Sequence, residues 1–495
     1  MIVSSGDRSF GARRRALFGV LVGCIAVFLL FVTSCSESET SASNTPQEEE
    51  TEAPTDRPNI VFVLTDDLDY AAAQKMPTLR SLLVDGGTSF ESAFASQSLC
   101  CPSRATILTG LYAHNHGIKD NKPPEGGFER FRNEGLEEDT IAVQLQESGY
   151  QTAYFGKYLN HYPGDDPTHV PPGWDEWHGK LLETLYYNYG INQNGEIIPY
   201  GSETEDYLTD VLSRQVTEYV RNAASNPNPF FMHLAPEAPH DQATPAERHK
   251  DAFADEEAPR PPSFNEEDVS DKPSWTKKTN RLTEEEASEI DTYHRKRLRS
   301  MLAVDEMVGS LVEELEAAGE LENTYIFFTS DNGWFGGEHR ISKGKDRPYE
   351  ESAHVPLFVR GPDVPAGAGV ENLVLNTDLA PTFAEIAGLR EFPADGRSLA
   401  PLLQDKDPAW RSAVLLEGFV GNKFRAYGAI RTETHKYVEY DNGEEELYDL
   451  QNDPYELESL HETTDTSLLL EDLKARLEEL RDCAYEGCRE AEDAP

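Results

Sequence analysis

Two stretches of the chain are apolar without alternation. Residues 59–65 (NIVFVLT) and 324–329 (TYIFFT) are rich in β-branched and aromatic side chains and carry no charge. Runs of that length suit strands buried on both faces of a sheet. The first ends at Asp66-Asp67 and the second just before Asp331-Asn332. Ahead of the second, Leu298, Leu302, Asp305, Val308, Val312 and Leu315 recur three or four apart, which predicts a helix. Residues 151–155, 230–234 and 355–359 read as further buried strands. Helix–strand alternation of this kind predicts an α/β sandwich with a mostly parallel central sheet. Open α/β sheets hold ligands at the carboxyl ends of their strands, where both acidic pairs fall. Residues 251–274, rich in acids and proline, read as a long surface excursion. Beyond Leu403 the pattern shifts to short β segments near 414–416, 428–431 and 436–440, then an acidic helix from about 467 to 480. The expected division is a large domain over 57–404 and a small α+β domain over 405–495.

The amino terminus follows different rules. Arg13, Arg14 and Arg15 precede an uncharged apolar run over 16–32, followed by Val32-Thr33-Ser34-Cys35. This resembles a bacterial lipoprotein signal over 1–34, with Cys35 as the lipidated first residue of the exported chain. An uncleaved membrane anchor is the alternative, since seventeen residues barely reach the lower spanning limit of about 17. A second cleavage box ends at Cys24. Residues 36–56 hold seven acids and no basic residue, so they read as a disordered tether between a lipid anchor and the globular part.

The formal charge of the 495-residue chain is −46. Cleavage before Cys35 would make it more negative. Such a surface repels nucleic acid and anionic membrane at long range, which argues against both as partners. Any anionic substrate therefore needs a local basic pocket. Of the six cysteines, Cys24 and Cys35 belong to the signal and Cys100-Cys101 are adjacent. Cys483 and Cys488 suit a short disulfide loop outside the cytoplasm. No cysteine or histidine spacing suggests zinc.

The stretch from Ser98 to Gly110, SLCCPSRATILTG, resembles the sulfatase signature Cys-x-Pro-Ser-Arg followed by Leu-Thr-Gly. In that family's register Cys100 is oxidised to formylglycine by a formylglycine-generating enzyme, and Cys101 takes the variable position. A hydrated aldehyde offers one oxygen to attack sulfur and a second hydroxyl to expel sulfate, whereas a serine would leave an ester for water to cleave. Asp66, Asp67, Asp331 and Asn332 offer hard oxygen ligands suited to Ca²⁺ or Mg²⁺. The resemblance makes them calcium ligands, with Cys100 facing the same ion. It also implies sulfate-facing roles for Arg104, Lys157 in Gly156-Lys157-Tyr158, and Lys345. Lysine, a compact charge, suits equatorial sulfate oxygens. His240, at the end of the 230–240 stretch FFMHLAPEAPH, becomes the acid for the leaving alcohol. His339 is a further candidate for contact with substrate or with the metal's surroundings, while His114, His116 and His233 read as packing residues.

The resemblance runs from about residue 57 to 460, and Leu447-Tyr448-Asp449-Leu450 matches a usual ending of the family. One position departs from it. Many sulfatases carry histidine two residues after the first lysine, where this chain has Leu159. The combination with His-Asn-His and Gly-Lys-Tyr-Leu-Asn looks most like the N-acetylglucosamine-6-sulfatase branch. The resemblance implies an alkaline-phosphatase-like fold and removal of a 6-O-sulfate from N-acetylglucosamine in a sulfated glycan. The lipoprotein-like amino terminus sets the chain on the outer face of the membrane. The rival readings are a phosphodiesterase or phosphonate hydrolase on the same fold, and a surface lipoprotein that binds glycan without cleaving it.

Overall fold

The computed structural model describes residues 57–181, 185–404, 406, 408–419 and 426–494. The signal over 1–34, the tether over 35–56 and lipidation at Cys35 lie outside the described residues. A ten-stranded sheet organises the large domain. From one edge its order is Ala368–Val370, Thr88–Phe90, Leu357–Arg360, Thr324–Ser330, Asn59–Thr65, Phe230–Ala235, Gln151–Gly156, Glu176–Leu181, Gly190–Gln193 and Glu196–Pro199. The five strands from Thr324–Ser330 through Glu176–Leu181 are parallel to one another. Leu357–Arg360 and Gly190–Gln193 run against them.

The uninterrupted apolar runs have a direct cause. In the Asn59–Thr65 strand, Ile60, Phe62 and Leu64 enter one core while Val61 and Val63 enter another on the opposite face. Side chains that alternate across a strand must all be apolar when helices cover both faces. The Cys100–Thr109, Ile141–Glu147 and Leu379–Ile386 helices cover the first face, and Leu208–Ala223 and Glu284–Ala318 cover the second. The Glu284–Ala318 helix starts well before the periodic stretch that predicts it. Its N-terminus is held by a reciprocal capping box between Thr283 and Glu286, a polar device that hydrophobic periodicity does not register. Residues 251–273 form irregular structure, yet not wholly at the surface as expected: Ser263, Glu266 and Lys272 within them are buried.

The C-terminal region holds an antiparallel sheet of Ala413–Gly418, Tyr427–Thr432, His435–Tyr440 and Glu445–Asp449. The Ser467–Arg481 helix packs on it, and Cys483 and Cys488 form a disulfide. Phe94 and Tyr112 of the large domain share this sheet's core, so the two sheets are joined by packed apolar surface. No helix among the described residues is long and apolar enough to cross a membrane.

Candidate active site

The carboxyl ends of neighbouring strands build the site. Thr65 pairs with Ser330 in parallel register, so the residues that follow each strand emerge side by side. Asp67 turns the chain in a left-handed conformation (φ 67°), which aspartate tolerates better than most residues. Its amide donates to Asp331 Oδ1 at 3.1 Å, and its carbonyl accepts from Arg297 Nη2 at 2.6 Å. The next amide, of Leu68, donates to Ser330 Oγ at 2.8 Å. All three aspartates and Asn332 are buried.

Cys100 is the first residue of the Cys100–Thr109 helix, every residue of which is buried. Pro102 lies in the first turn, where its missing N–H breaks no helical bond. The Cys100 thiol donates to Asp66 Oδ1 at 3.3 Å, and Lys345 Nζ lies 2.6 Å from the sulfur. Burial, then the Asp66 carboxylate, push the thiol's pKa well up, against the pull of Lys157 and Lys345. Cys101 is separate from this cluster. Its amide donates to Asn121 Oδ1 at 2.8 Å, and burial pushes its thiol up to about 12.

Arg104 stands one helical turn after Cys100, on the same face. Its Nε donates to Asp331 Oδ2 at 2.8 Å and its Nη1 to the Lys157 carbonyl at 2.8 Å, with Nη2 3.8 Å from Asp66. Lys157 follows Gly156, whose φ of 108° and close approach to the Ala235 carbonyl exclude a side chain: a Cβ there would sit 2.1 Å from that oxygen. The Lys157 ammonium pairs with Asp66, and that of Lys345 pairs with Asp67. Burial alone would raise the Asp66 carboxyl, but Lys157, His240, Arg104 and Lys345 together hold it well below the usual range. Asp67 is lowered in the same sense, with Lys345 and His240 outweighing burial. Asp331 goes the other way, raised by burial and by the neighbouring Asp66 charge.

His240 Nε2 lies 3.7 Å from Asp67 Oδ2, and its Nδ1 is 3.2 Å from the Asp241 carbonyl. That contact makes Nδ1 the donor and leaves Nε2 facing the carboxylates. Glu237 and Lys180, absent from the sequence reading, form a buried ion pair (3.0 Å) beside this loop. The signal was a carboxylate inside the Pro236–Pro239 turn, which no spacing rule singles out.

His339 is not among these side chains. Fully buried, it bonds Glu266 at 2.8 Å, stacks on Tyr349 at 4.1 Å and sits 3.6 Å from Glu351. His233 packs between the rings of Phe62 and Tyr154, each 4.7 Å away. His116 bonds Thr106, and His114 bonds Glu417. Leu159 is buried in the apolar core on the Cys100 helix face, so the position where many sulfatases carry histidine is packing surface here.

The donor set suits a hard divalent cation. Asp66, Asp67, Cys100 and His240 bring ligand atoms within 4.8 Å of one another. Asn332 donates its amide nitrogen to Asp67 Oδ1 at 2.7 Å, while its buried Oδ1 has no partner. A buried, unpartnered carbonyl oxygen beside three carboxylates is what an oxygen-coordinated ion would satisfy.

Fold and site together define a hydrolase of the alkaline-phosphatase-like class. Residues 58–389 match the sulfatase family model, and 337–483 match that of the N-sulphoglucosamine sulphohydrolase C-terminal region. The chain belongs to the sulfatase family, the sulfuric ester hydrolases. It is 35% identical over 480 residues to the N-acetylglucosamine-6-sulfatase of Homo sapiens, covering 88% of this chain and 87% of that protein. It is 37% identical over 375 residues to an extracellular sulfatase Sulf-1 homolog of Caenorhabditis elegans. That match takes in 72% of this chain but 52% of the relative, so the chain spans about half its length. A solved structure of BT4656 in complex with its substrate, D-glucosamine-2-N,6-O-disulfate, superposes with a TM-score of 0.74 at 27% identity. The superposition covers 88% of this chain and 99% of that one.

Proposed function

We propose that this enzyme removes the 6-O-sulfate from a terminal N-acetylglucosamine, or a close relative of it, on a glycan outside the cell. The observation that carries the reading is the position of Cys100, wedged at a helix start between Lys345 and Asp66. Cys100 is the residue to be converted to formylglycine by a formylglycine-generating enzyme. When formed, the hydrated aldehyde supplies both the oxygen that attacks sulfur and the hydroxyl that later expels sulfate. Asp66, Asp67, Asp331 and Asn332, with residue 100, would hold Ca²⁺, or Mg²⁺ in its place. The ion would polarise a sulfate oxygen and stabilise developing charge.

The chain's own residues do the rest. Asp331 and the Lys157 carbonyl brace Arg104 beside the nucleophile. Lys157 and Lys345 reach in from loops, each with its side chain 12% exposed, and place ammonium groups where an incoming sulfate needs cations. His240, its Nδ1 committed to a carbonyl, presents Nε2 for proton transfer to the departing sugar oxygen. Support for the 6-sulfated amino sugar comes from the similarity to the human N-acetylglucosamine-6-sulfatase and to BT4656, whose bound substrate is a 6-O-sulfated glucosamine. The lipoprotein reading adds export and anchoring through Cys35. A chain this acidic repels extended polyanions, and that repulsion is screened only beyond a Debye length of about 8 Å at physiological salt. The expected preference is therefore for a short or lightly sulfated glycan.

The test has two parts. Mass spectrometry of the peptide spanning Cys100 should show formylglycine there and none at Cys101. Sulfate release should be faster from N-acetylglucosamine 6-sulfate and short oligosaccharides than from intact heparin. Faster release from heparin at low salt would overturn the substrate assignment, and an unmodified Cys100 in active enzyme would overturn the nucleophile.

A further inference from the structure

A cavity of about 370 Å³ borders the site without including any of its catalytic side chains. Its size falls within the range of about 300–1,000 Å³ typical of small-molecule sites. Aromatic rings form much of its wall: Tyr70, Tyr293, Trp334 and Tyr455. Tyr293 and Trp334 face each other with centroids 5.8 Å apart. Two buried polar side chains also line it, and each has an atom without a partner: Nη1 of Arg297 and Nε2 of His294. Arg297 is 2% exposed and His294 8%. Buried polar atoms normally find partners, and two unsatisfied ones in a single aromatic cavity point to a ligand that brings hydroxyls.

The cavity touches the reacting centre at three points. Arg297 donates through Nη2 to the Asp67 carbonyl at 2.6 Å and to Asp69 at 3.0 Å. Trp334 follows Asn332 and Gly333 in the chain. Tyr293 lies beside Asp241, the neighbour of His240. A glycan whose terminal residue presents its sulfate to Cys100 would thus have its next residue near these rings. Charge narrows the choice further. Asp69, Glu338, Glu350 and Glu351 line the cavity against one guanidinium, Arg297, which Asp69 already pairs. A second sulfate or a uronate would meet carboxylates there, whereas a neutral pyranose meets apolar faces and free hydrogen-bonding atoms.

We propose that this cavity is a second sugar subsite, which binds the uncharged pyranose adjoining the sulfated residue. The inference rests on the glycan-sulfatase reading, and its test keeps the two separable. Sulfate release is measured from N-acetylglucosamine 6-sulfate alone and from a disaccharide that joins the same residue to a neutral hexose. Wild type, Tyr455→Ala and Trp334→Ala are compared. Tyr455 is 42% exposed, so its truncation opens no core.

Wild-type kcat/KM should be higher for the disaccharide. In both variants the disaccharide value should fall about tenfold further than the monosaccharide value, the loss expected of a truncated aromatic anchor. Equal wild-type values, or equal losses on both substrates, would overturn the subsite. If neither substrate releases sulfate, it is the reaction assignment that has failed. The cavity is then judged by titrating the unsulfated disaccharide against tryptophan fluorescence. A saturable change in wild type that is weakened in Tyr455→Ala supports the subsite, and no change overturns it.

Discussion

The molecule buries two clusters of opposite charges, and they are built to different ends. Around Cys100, three carboxylates meet Arg104, Lys157 and Lys345. Elsewhere Glu266, Glu350, Glu351 and Glu456 meet Lys272, His339 and Lys436. In each cluster the cations offset desolvation for some carboxylates, such as Asp66 and Glu350, but burial still raises Asp331 in the first and Glu456 in the second. In the second the cations are enclosed: Lys272, His339 and Lys436 have fully buried side chains, while Glu350 and Glu351 stay 22% and 20% exposed on the side of the aromatic cavity. Lys436, on the His435–Tyr440 strand of the small sheet, binds Glu350 at 3.0 Å and Glu456 at 2.5 Å, so it staples that sheet to the large domain. The first cluster keeps its ammonium groups and His240 partly exposed and leaves Asn332 Oδ1 unsatisfied. Buried charge alone therefore does not mark a reaction centre. What marks it here is a nucleophile at a helix start facing cations that reach solvent. In the second cluster the cations are enclosed and it is carboxylates that reach the surface.

The comparison breaks most sharply at Cys100. Cys100→Ala should abolish sulfate release and leave the melting temperature near that of the wild type, while Cys101→Ser should keep most of the activity. Turnover in Cys100→Ala would show that the first cluster is as structural as the second. The next effect concerns the oxygen donors. Chelation should remove activity, and Ca²⁺ or Mg²⁺ should restore it. Asp331→Ala should lower kcat about a hundredfold or more, since it would remove a proposed metal donor together with the brace of Arg104. Stoichiometric zinc in active enzyme would argue against an oxygen-ligated ion.

In the second cluster the loss should appear in stability instead. Lys436→Met leaves Glu456 buried without its cation and Glu350 with Arg431 alone, and breaking a buried pair in this way costs roughly 3–5 kcal/mol. Urea unfolding should show that loss, while kcat per folded molecule changes far less than in Asp331→Ala. If Lys436→Met cut kcat as deeply as Asp331→Ala, the division between a working cluster and a structural one would not hold.

How much of this was legible in the sequence depended on what each residue packs against. The central strands were readable because burial on both faces leaves no charged position in Asn59–Thr65 or Thr324–Ser330 and an unbroken apolar middle in each, and their acidic ends marked the site. The strands toward one edge were not: Gly190–Gln193 and Glu196–Pro199 are short, partly exposed and carry polar residues. Glu445–Asp449 was hidden by its charges, yet Glu446 is fully buried and accepts hydrogen bonds from Tyr349, Tyr440 and Tyr448. Three tyrosine hydroxyls from separate elements cannot be inferred from local periodicity. His339 was marked for substrate contact because it lies between Asn332 and Lys345, but chain proximity is silent on direction. Its ring points instead to Tyr349 and Glu266, supplied by a loop more than seventy residues earlier.

The smallest predicted effect tests the second cluster through pH. Burial by itself would lower the His339 pKa, but Glu351 and Glu266 outweigh it and raise it to about 9. An imidazole raised above its unfolded value of about 6.5 stabilises the fold fully below that pH, and the contribution is lost as pH climbs through about 9. Glu456 acts in the same direction at lower pH. Burial raises its carboxyl to about 7, so the folded state gives up a proton reluctantly and loses stability as pH rises toward 7. Other groups titrate over the same range, so the decisive quantity is the difference between wild type and His339→Gln. That difference should be largest near pH 6.5, at most roughly 3 kcal/mol from a shift of this size. It should shrink steadily toward pH 9.5, where the native histidine has lost its charge. A gap that stays constant across that window would mean that His339 contributes through packing on Tyr349 and not through the Glu266 and Glu351 carboxylates.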